Sequence, residues 1–245
     1  MTIDTILTPA ELPALANHDL SDTACVVFDV LRATSTFVTA LHHGASAIIP
    51  VSEIAEAVAR RQQKPDVLLA GERGGVRISA AQSGGFDFDF GNSPREFTAD
   101  KVHGKTIVST TTNGTRALRA CAGANQILAA SFLNLSATAK FLTKSQPEKI
   151  LLICAGTANS VALEDVLAAG ALTDLLADEL TDSAEIARQT FLRLKTDLGA
   201  AIASSRNGRR LLGIPDLRAD VAFCSQRDVF PLTALMDKYG ALKPA

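Results

Sequence analysis

The feature that most constrains this chain is a unit that recurs along it: a short apolar run, a polar loop, then a stretch of helical character. The runs are Ala24 to Phe28, Ala47 to Val51, Val67 to Ala70, Lys105 to Ser109, Gln126 to Ala130 and Lys149 to Cys154. Such short continuous runs suit strands buried on both faces. Helices are expected up to His42, from Ser52 to about Gln63, over Arg116 to Cys121, and over Leu135 to Lys144. Three more run from the Gly156 loop to about Glu179, from Asp182 to about Leu198, and over Ser205 to Leu212. Strands alternating with helices predict an α/β fold with a mostly parallel sheet covered on both faces. Two further strands are expected, Asp220 to Cys224 and Gly85 to Phe90. In the second, three Phe alternate with Asp87 and Asp89, so the acids form a wet face.

Composition narrows the function. Lys and Arg number 24 against 26 Asp and Glu, a balance that excludes a nucleic-acid binder driven by a basic surface. Aromatic residues make up 5% and Trp is absent, which argues against base-stacking platforms. The uncharged stretches Ala33 to Ser52 and Ala120 to Ala139 are broken by polar residues, so no membrane partner is expected. No signal peptide is readable in Met1 to Leu12. Four widely spaced cysteines, Cys25, Cys121, Cys154 and Cys224, read as reduced thiols of a cytoplasmic protein. A homodimer is expected on general grounds only.

Several familiar chemistries fail. Gly104-Lys105-Thr106 lacks the upstream glycine of a P-loop and precedes a strand. Cys154 ends a strand like a thiol phosphatase nucleophile, but Ser160 stands where a phosphate-binding Arg is needed, so a core thiol is the better reading. Asp29 lacks the second Asp two positions on that an aspartyl-phosphate enzyme of the common type carries; Leu31 is there.

Ligands in parallel sheets bind beyond the carboxyl ends of the strands, and polar loops follow Phe28, Ser109 and Cys154. Thr110-Thr-Thr-Asn-Gly-Thr-Arg116 sets hydroxyls, a glycine and an Arg where a strand gives way to a helix, an arrangement suited to a phosphate or sulfonate. An ordinary Asn/Thr-rich helix cap is the plainer alternative. Asp29 to Thr36 repeats the arrangement with an acid added: Asp29 can ligate a cation, with Arg32, Thr34 and Ser35 around the same mouth, although a turn Asp and a surface Arg explain it equally well. Glu164 and Asp165 compensate a helix dipole in the bland reading, and Glu72 beside Arg73 reads as a surface turn. Gathered together, such carboxylates suit Mg²⁺, which takes one or two carboxylates plus waters and substrate oxygens. Asn92 and Ser93 offer further polar contacts or a cap.

The segments Asp29 to Thr36, Ala70 to Gly75, Gly91 to Pro94, Thr110 to Leu118, Leu163 to Asp165, Ser205 to Gly208 and Asp220 to Cys224 together resemble the 2-phosphosulfolactate phosphatase family. The resemblance implies a three-layer α/β/α architecture of two similar subdomains packed together, here about 20–104 and 105–230. It also implies a Mg²⁺-dependent hydrolase that converts 2-phospho-3-sulfolactate to 3-sulfolactate and inorganic phosphate, a step of coenzyme M biosynthesis in methanogenic archaea. Under it, Asp29, Glu72, Glu164 and Asp165 hold Mg²⁺, while Arg32, Arg73 and Arg116 meet the anionic groups. The loop of Thr111, Thr112, Asn113, Gly114 and Thr115 cradles phosphate or sulfonate, with the Gly156 loop nearby. Water and Asp29 both remain open as nucleophile. The stretch Ile78 to Gly85 is longer than the family pattern suggests, an expected change at the rim of the pocket.

Overall fold

The computed structural model describes residues 1–176 and 179–245. Its strands are β1 (Thr2–Ile6), β2 (Thr23–Phe28), β3 (Ala47–Pro50), β4 (Leu68–Arg73), β5 (Val76–Arg77), β6 (Thr106–Thr110), β7 (Gln126–Ala130), β8 (Lys149–Cys154), β9 (Glu179–Leu180), β10 (Ala234–Met236) and β11 (Leu242–Pro244). They form one sheet in the order β5-β4-β6-β3-β11-β10-β7-β2-β8-β1-β9. The neighbours β4-β6-β3 and β7-β2-β8-β1-β9 pair in parallel. Between these two blocks lies the antiparallel β10–β11 hairpin, which pairs with β7 on one side and β3 on the other.

The helices are α1 (Ala33–His42), α2 (Ile54–Gln63), α3 (Ala80–Ser83), α4 (Ala99–Val102), α5 (Gly114–Ala120), α6 (Leu135–Ser145), α7 (Leu163–Leu176), α8 (Asp182–Leu194), α9 (Leu198–Ser204), α10 (Arg206–Leu212) and α11 (Arg218–Cys224). Strand alternation sorts them into layers. Ala24, Val26 and Phe28 of β2 pack into a core shared with α6 through α11. Cys25 and Val27 turn the other way, towards α1, α5 and the Pro9–Asn17 turn. In the second block, Ile107 joins that same core while Val108 and Leu69 pack with Ala57 of α2. The three-layer α/β/α arrangement follows.

The central strands fall where the apolar runs place them. Several elements differ. Asp220 to Cys224 is helix α11, with Asp220, Val221 and Cys224 buried and Ala222 exposed, a helical spacing too short to distinguish from a strand in sequence. Gly85 to Phe90 forms no strand beyond an isolated bridge from Phe90 to Ala70. Its alternation survives as burial, with Phe88 and Phe90 inside and Asp87 and Asp89 outside. β1 and the β10–β11 hairpin carry too little apolar signal to stand out. The helix read as reaching Glu179 is described to Leu176; residues 177 and 178 lie outside the described residues, and Glu179 belongs to β9. No helix among the described residues is long and apolar enough to cross a membrane.

Candidate active site

The site lies beyond the carboxyl ends of β2, β4, β6 and β8. β2 is buried along its whole length between β7 and β8, so Asp29 leaves the sheet at a fixed point and is itself only 8% exposed. Its backbone N–H donates to Thr34 Oγ1 (3.0 Å) and its Oδ1 accepts the Ala33 N–H (3.1 Å). The Gly114 N–H at the start of α5 also donates to this carboxylate. Two helix starts therefore converge on Asp29. Gly114 is required there: a Cβ would stand 2.7 Å from Asp29 Oδ2 and 2.7 Å from Ala33 Cβ.

Glu72, at the end of β4, is tied in the same manner. Its Oε1 accepts from the Thr112 N–H (2.9 Å) and hydroxyl (2.8 Å), and its Oε2 from the Gly75 N–H (2.6 Å). Asp165, in the first turn of α7, accepts the Val30 N–H (2.8 Å) and the Gly156 N–H (2.9 Å), so it fastens the loops after β2 and β8 together. Glu164 differs. Asn207 Nδ2 donates to its Oε1 at 2.6 Å, but its Oε2 is buried and has no hydrogen-bond partner among the described residues.

These four carboxylates are all buried, and among the described residues none forms a salt bridge. Burial pushes the Asp29 carboxyl up to about 6, and the charges of Glu72 and Glu164 add to the rise. Asp165 is pushed well above the usual range by burial first, then by Glu164 and Asp29. Negative charge crowded into a dry site favours a proton or a cation. Among the described residues no three or more His, Cys, Asp or Glu side chains already form a metal cage. The donor set fits an ion completed by waters and substrate oxygens: hard oxygens, one of them an unpartnered Glu164 oxygen.

A cleft of about 190 Å³ opens beside them, lined by Asp29, Arg32, Glu72, Asn92, Thr112 and Asn113 together with Gly75, Thr157, Asn207 and Arg210. Arg32 is 3% exposed. Its Nη1 donates to Asp220 (2.8 Å), which is fully buried, and its Nη2 to the Gly75 carbonyl (3.0 Å), so the guanidinium is held in one orientation. Asp220 also accepts from the Ser93 hydroxyl (2.7 Å).

The structure thus gathers Asp29, Arg32, Glu72, Asn92, Thr112 and Asn113 at the cleft and places other candidates elsewhere. Helix α1 is buried from Ala33 to Leu41, so its hydroxyls are consumed internally: Ser35 donates to the Val30 carbonyl, and Thr34 accepts from Asp29. Thr111 and Thr115 bond each other. Arg73 donates to the Glu72 carbonyl and to Thr110, linking the ends of β4 and β6. Arg116 is exposed on α5 and does not line the cleft. Gly156 turns the chain with a φ of 64°. None of 78–85 borders the cleft. Cys154 is buried with its thiol pushed well above the usual range, chiefly by burial, as befits a core residue.

Asn207, Arg210, Thr157 and Asp220 were not singled out by residue type. Asn207 and Asp220 lie within the segments that carry the family resemblance, which was their only signal.

The family model described as 2-phosphosulpholactate phosphatase matches residues 7–238. A protein of Thermotoga petrophila named probable 2-phosphosulfolactate phosphatase is 46% identical over 206 residues, covering 84% of this chain and 85% of its own. Proteins of the same name from Caldanaerobacter subterraneus and a Synechococcus species are each 36% identical, over 89% and 96% of this chain and 90% and 96% of theirs. The site loops lie inside the matched region, and the chain belongs to the 2-phosphosulfolactate phosphatase family, a family of phosphoric monoester hydrolases.

Proposed function

We propose that this enzyme hydrolyses 2-phospho-3-sulfolactate to 3-sulfolactate and inorganic phosphate, with Mg²⁺ held by Asp29, Glu72 and Glu164. The observation that carries this reading is the set of buried carboxylates that have no cationic partners among the described residues, one oxygen unsatisfied there, beside the fixed guanidinium of Arg32. A receptor for anions alone gains nothing from added negative charge. The names of the relatives supply the substrate.

When bound, Mg²⁺ supplies positive charge against the phosphoryl oxygens and lowers the pKa of water it contacts. The protein does the positioning. Arg32, held in one orientation by Asp220 and the Gly75 carbonyl, presents its remaining N–H groups to equatorial oxygens of the phosphoryl group. Arg210, whose guanidinium donates to the Gly74 carbonyl (3.3 Å) and which also lines the cleft, meets a second anionic group. Asn92, Asn113 and Asn207 offer neutral donors that orient the substrate without adding charge. Asp165 touches no ligand in this scheme and holds the β2 and β8 loops in register. We place the enzyme in the cytoplasm, where its four buried free thiols stay reduced.

Phosphate release from 2-phospho-3-sulfolactate and from the same ester lacking the sulfonate, both in saturating Mg²⁺, tests the substrate. A strong preference for the sulfonate supports it; equal turnover points to a phosphatase for other small phosphorylated acids. Trapping with labelled phosphate identifies the nucleophile, since a labelled Asp29 peptide means covalent attack and its absence means attack by water.

A further inference from the structure

Among the site's acids, Glu164 is held in a way of its own. Asp29, Glu72 and Asp165 each accept backbone N–H groups. Glu164 accepts instead from one side chain, Asn207, whose Nδ2 lies 2.6 Å from Oε1. Its Oε2 is buried and has no hydrogen-bond partner among the described residues.

Asn207 is itself fixed. It lies in the first turn of α10, on the cleft wall, and is 6% exposed. Nδ2 also donates to Thr157 Oγ1 at 2.6 Å, and the neighbouring Arg206 donates to the Thr157 carbonyl at 3.0 Å. Thr157 is closed into a tight turn with Ser160 by two backbone hydrogen bonds, of 2.9 and 3.0 Å. The amide nitrogen therefore sits between two acceptors, and turning Oε1 away would break the one bond that holds Glu164. An amide does this without charge. A Lys or Arg at 207 would pair with the acid and cancel the attraction that it offers a cation.

A carboxylate with one oxygen committed offers a cation the other oxygen alone. Mg²⁺ is small, octahedral and largely hydrated, so single carboxylate oxygens suit it, whereas Ca²⁺ takes about six to eight oxygens and accepts carboxylates through both at once. We propose that Asn207 is a positioning residue that makes Glu164 a one-oxygen ligand and so tilts the site towards Mg²⁺ and away from Ca²⁺. This rests on the reading of these carboxylates as a Mg²⁺ site and adds the residue that sets its selectivity.

Calorimetric titration of the chelator-stripped intact protein with Mg²⁺ and with Ca²⁺ measures both affinities directly, alongside Asn207→Ala and Ser205→Ala. Ser205 caps α10, its hydroxyl accepting the Gly208 N–H at 3.0 Å, so its loss loosens the helix without touching Glu164. Asn207→Ala is expected to weaken Mg²⁺ binding by about tenfold, the scale seen when a metal-binding side chain loses its hydrogen-bond partner. Ca²⁺ then binds as tightly as before or more so, because Glu164 is free to use both oxygens. Ser205→Ala is expected to lower the melting temperature and to keep the ratio of the two affinities. An unchanged ratio in Asn207→Ala, with both cations weakened together or neither, overturns the proposal while leaving the Mg²⁺ reading in place. So does Ca²⁺ that binds no form of the protein, or an equal shift of the ratio in Ser205→Ala. Should Asn207→Ala not fold, Asn207→Ser, whose hydroxyl stops one atom short of the amide nitrogen, is judged by the same ratio. An intact protein that binds no Mg²⁺ overturns the cation reading itself, and the proposal with it.

Discussion

Asp29 serves two elements at once. Its carboxylate accepts N–H groups from the starts of α1 and α5, and it also faces the cleft. Asp29→Asn keeps the size and a carbonyl acceptor but removes the charge. Phosphate release is expected to fall by roughly 10³-fold, with far-UV circular dichroism unchanged and the melting temperature no lower. Asp220 acts on the substrate only through Arg32. Removing one member of a buried ion pair strands the other. Asp220→Asn is therefore expected to destabilise the fold by about 3 kcal/mol in urea unfolding, and to raise KM more than it lowers kcat as Arg32 loses its orientation. At this scale the sequence was informative about residue type and less so about partnership. The hydroxyls and glycine of 110–116 read as an anion cradle. The folded chain turns the Thr112 and Gly114 N–H groups onto Glu72 and Asp29 instead. Those acids lie 40 and 85 residues away, and nothing local announces such a pairing. Arg116 carried the right charge in the right segment, but helical geometry leaves it exposed.

Among elements, α7 carries two of the site's acids, Glu164 and Asp165. It is buried along most of its length and packs against α8 at Gly170, where a Cβ would collide with the Ala187 carbonyl. Gly170→Ala is expected to push the helices apart and to cost about 1–3 kcal/mol, read as a lowered melting temperature. Activity falls with it, because Asp165 then loses register with Val30 and Gly156. Gly114→Ala is the contrasting case: it crowds Asp29 directly, so kcat drops more than the melting temperature. Strands β2, β7 and β8 were legible because burial on both faces demands unbroken apolar runs. Helix α11 was not, since seven residues complete barely two turns and its apolar positions also fit an extended segment. The short β10 and β11 exist through their pairing with β7 and β3, a tertiary fact.

Over the whole molecule, the buried carboxylates make stability depend on pH and on cations. Asp29 is raised to about 6 and Asp165 is also raised, so the folded state binds more protons than the unfolded chain as pH climbs past the ordinary carboxylate range. Their contribution is fully present below the unfolded pKa and is lost as pH rises through the folded one. Metal-free protein is expected to lose about 1–2 kcal/mol from Asp29 alone between pH 5 and pH 8. Thermal melts in chelator should therefore show a higher midpoint at pH 5 than at pH 8, with Mg²⁺ restoring stability at pH 8 and doing little at pH 5. A midpoint indifferent to Mg²⁺ at both values would remove the cation from the account. The arrangement that matters most is the meeting of loops from β2, β4, β6 and β8 with α10 around one set of acids. Its most direct test is phosphate release from 2-phospho-3-sulfolactate by the chelator-treated enzyme, before and after Mg²⁺ is returned, alongside Asp29→Asn. The account predicts no release in chelator, recovery with Mg²⁺, and no recovery in the variant; full activity in chelator, or an Asp29→Asn enzyme as fast as the parent, would contradict it.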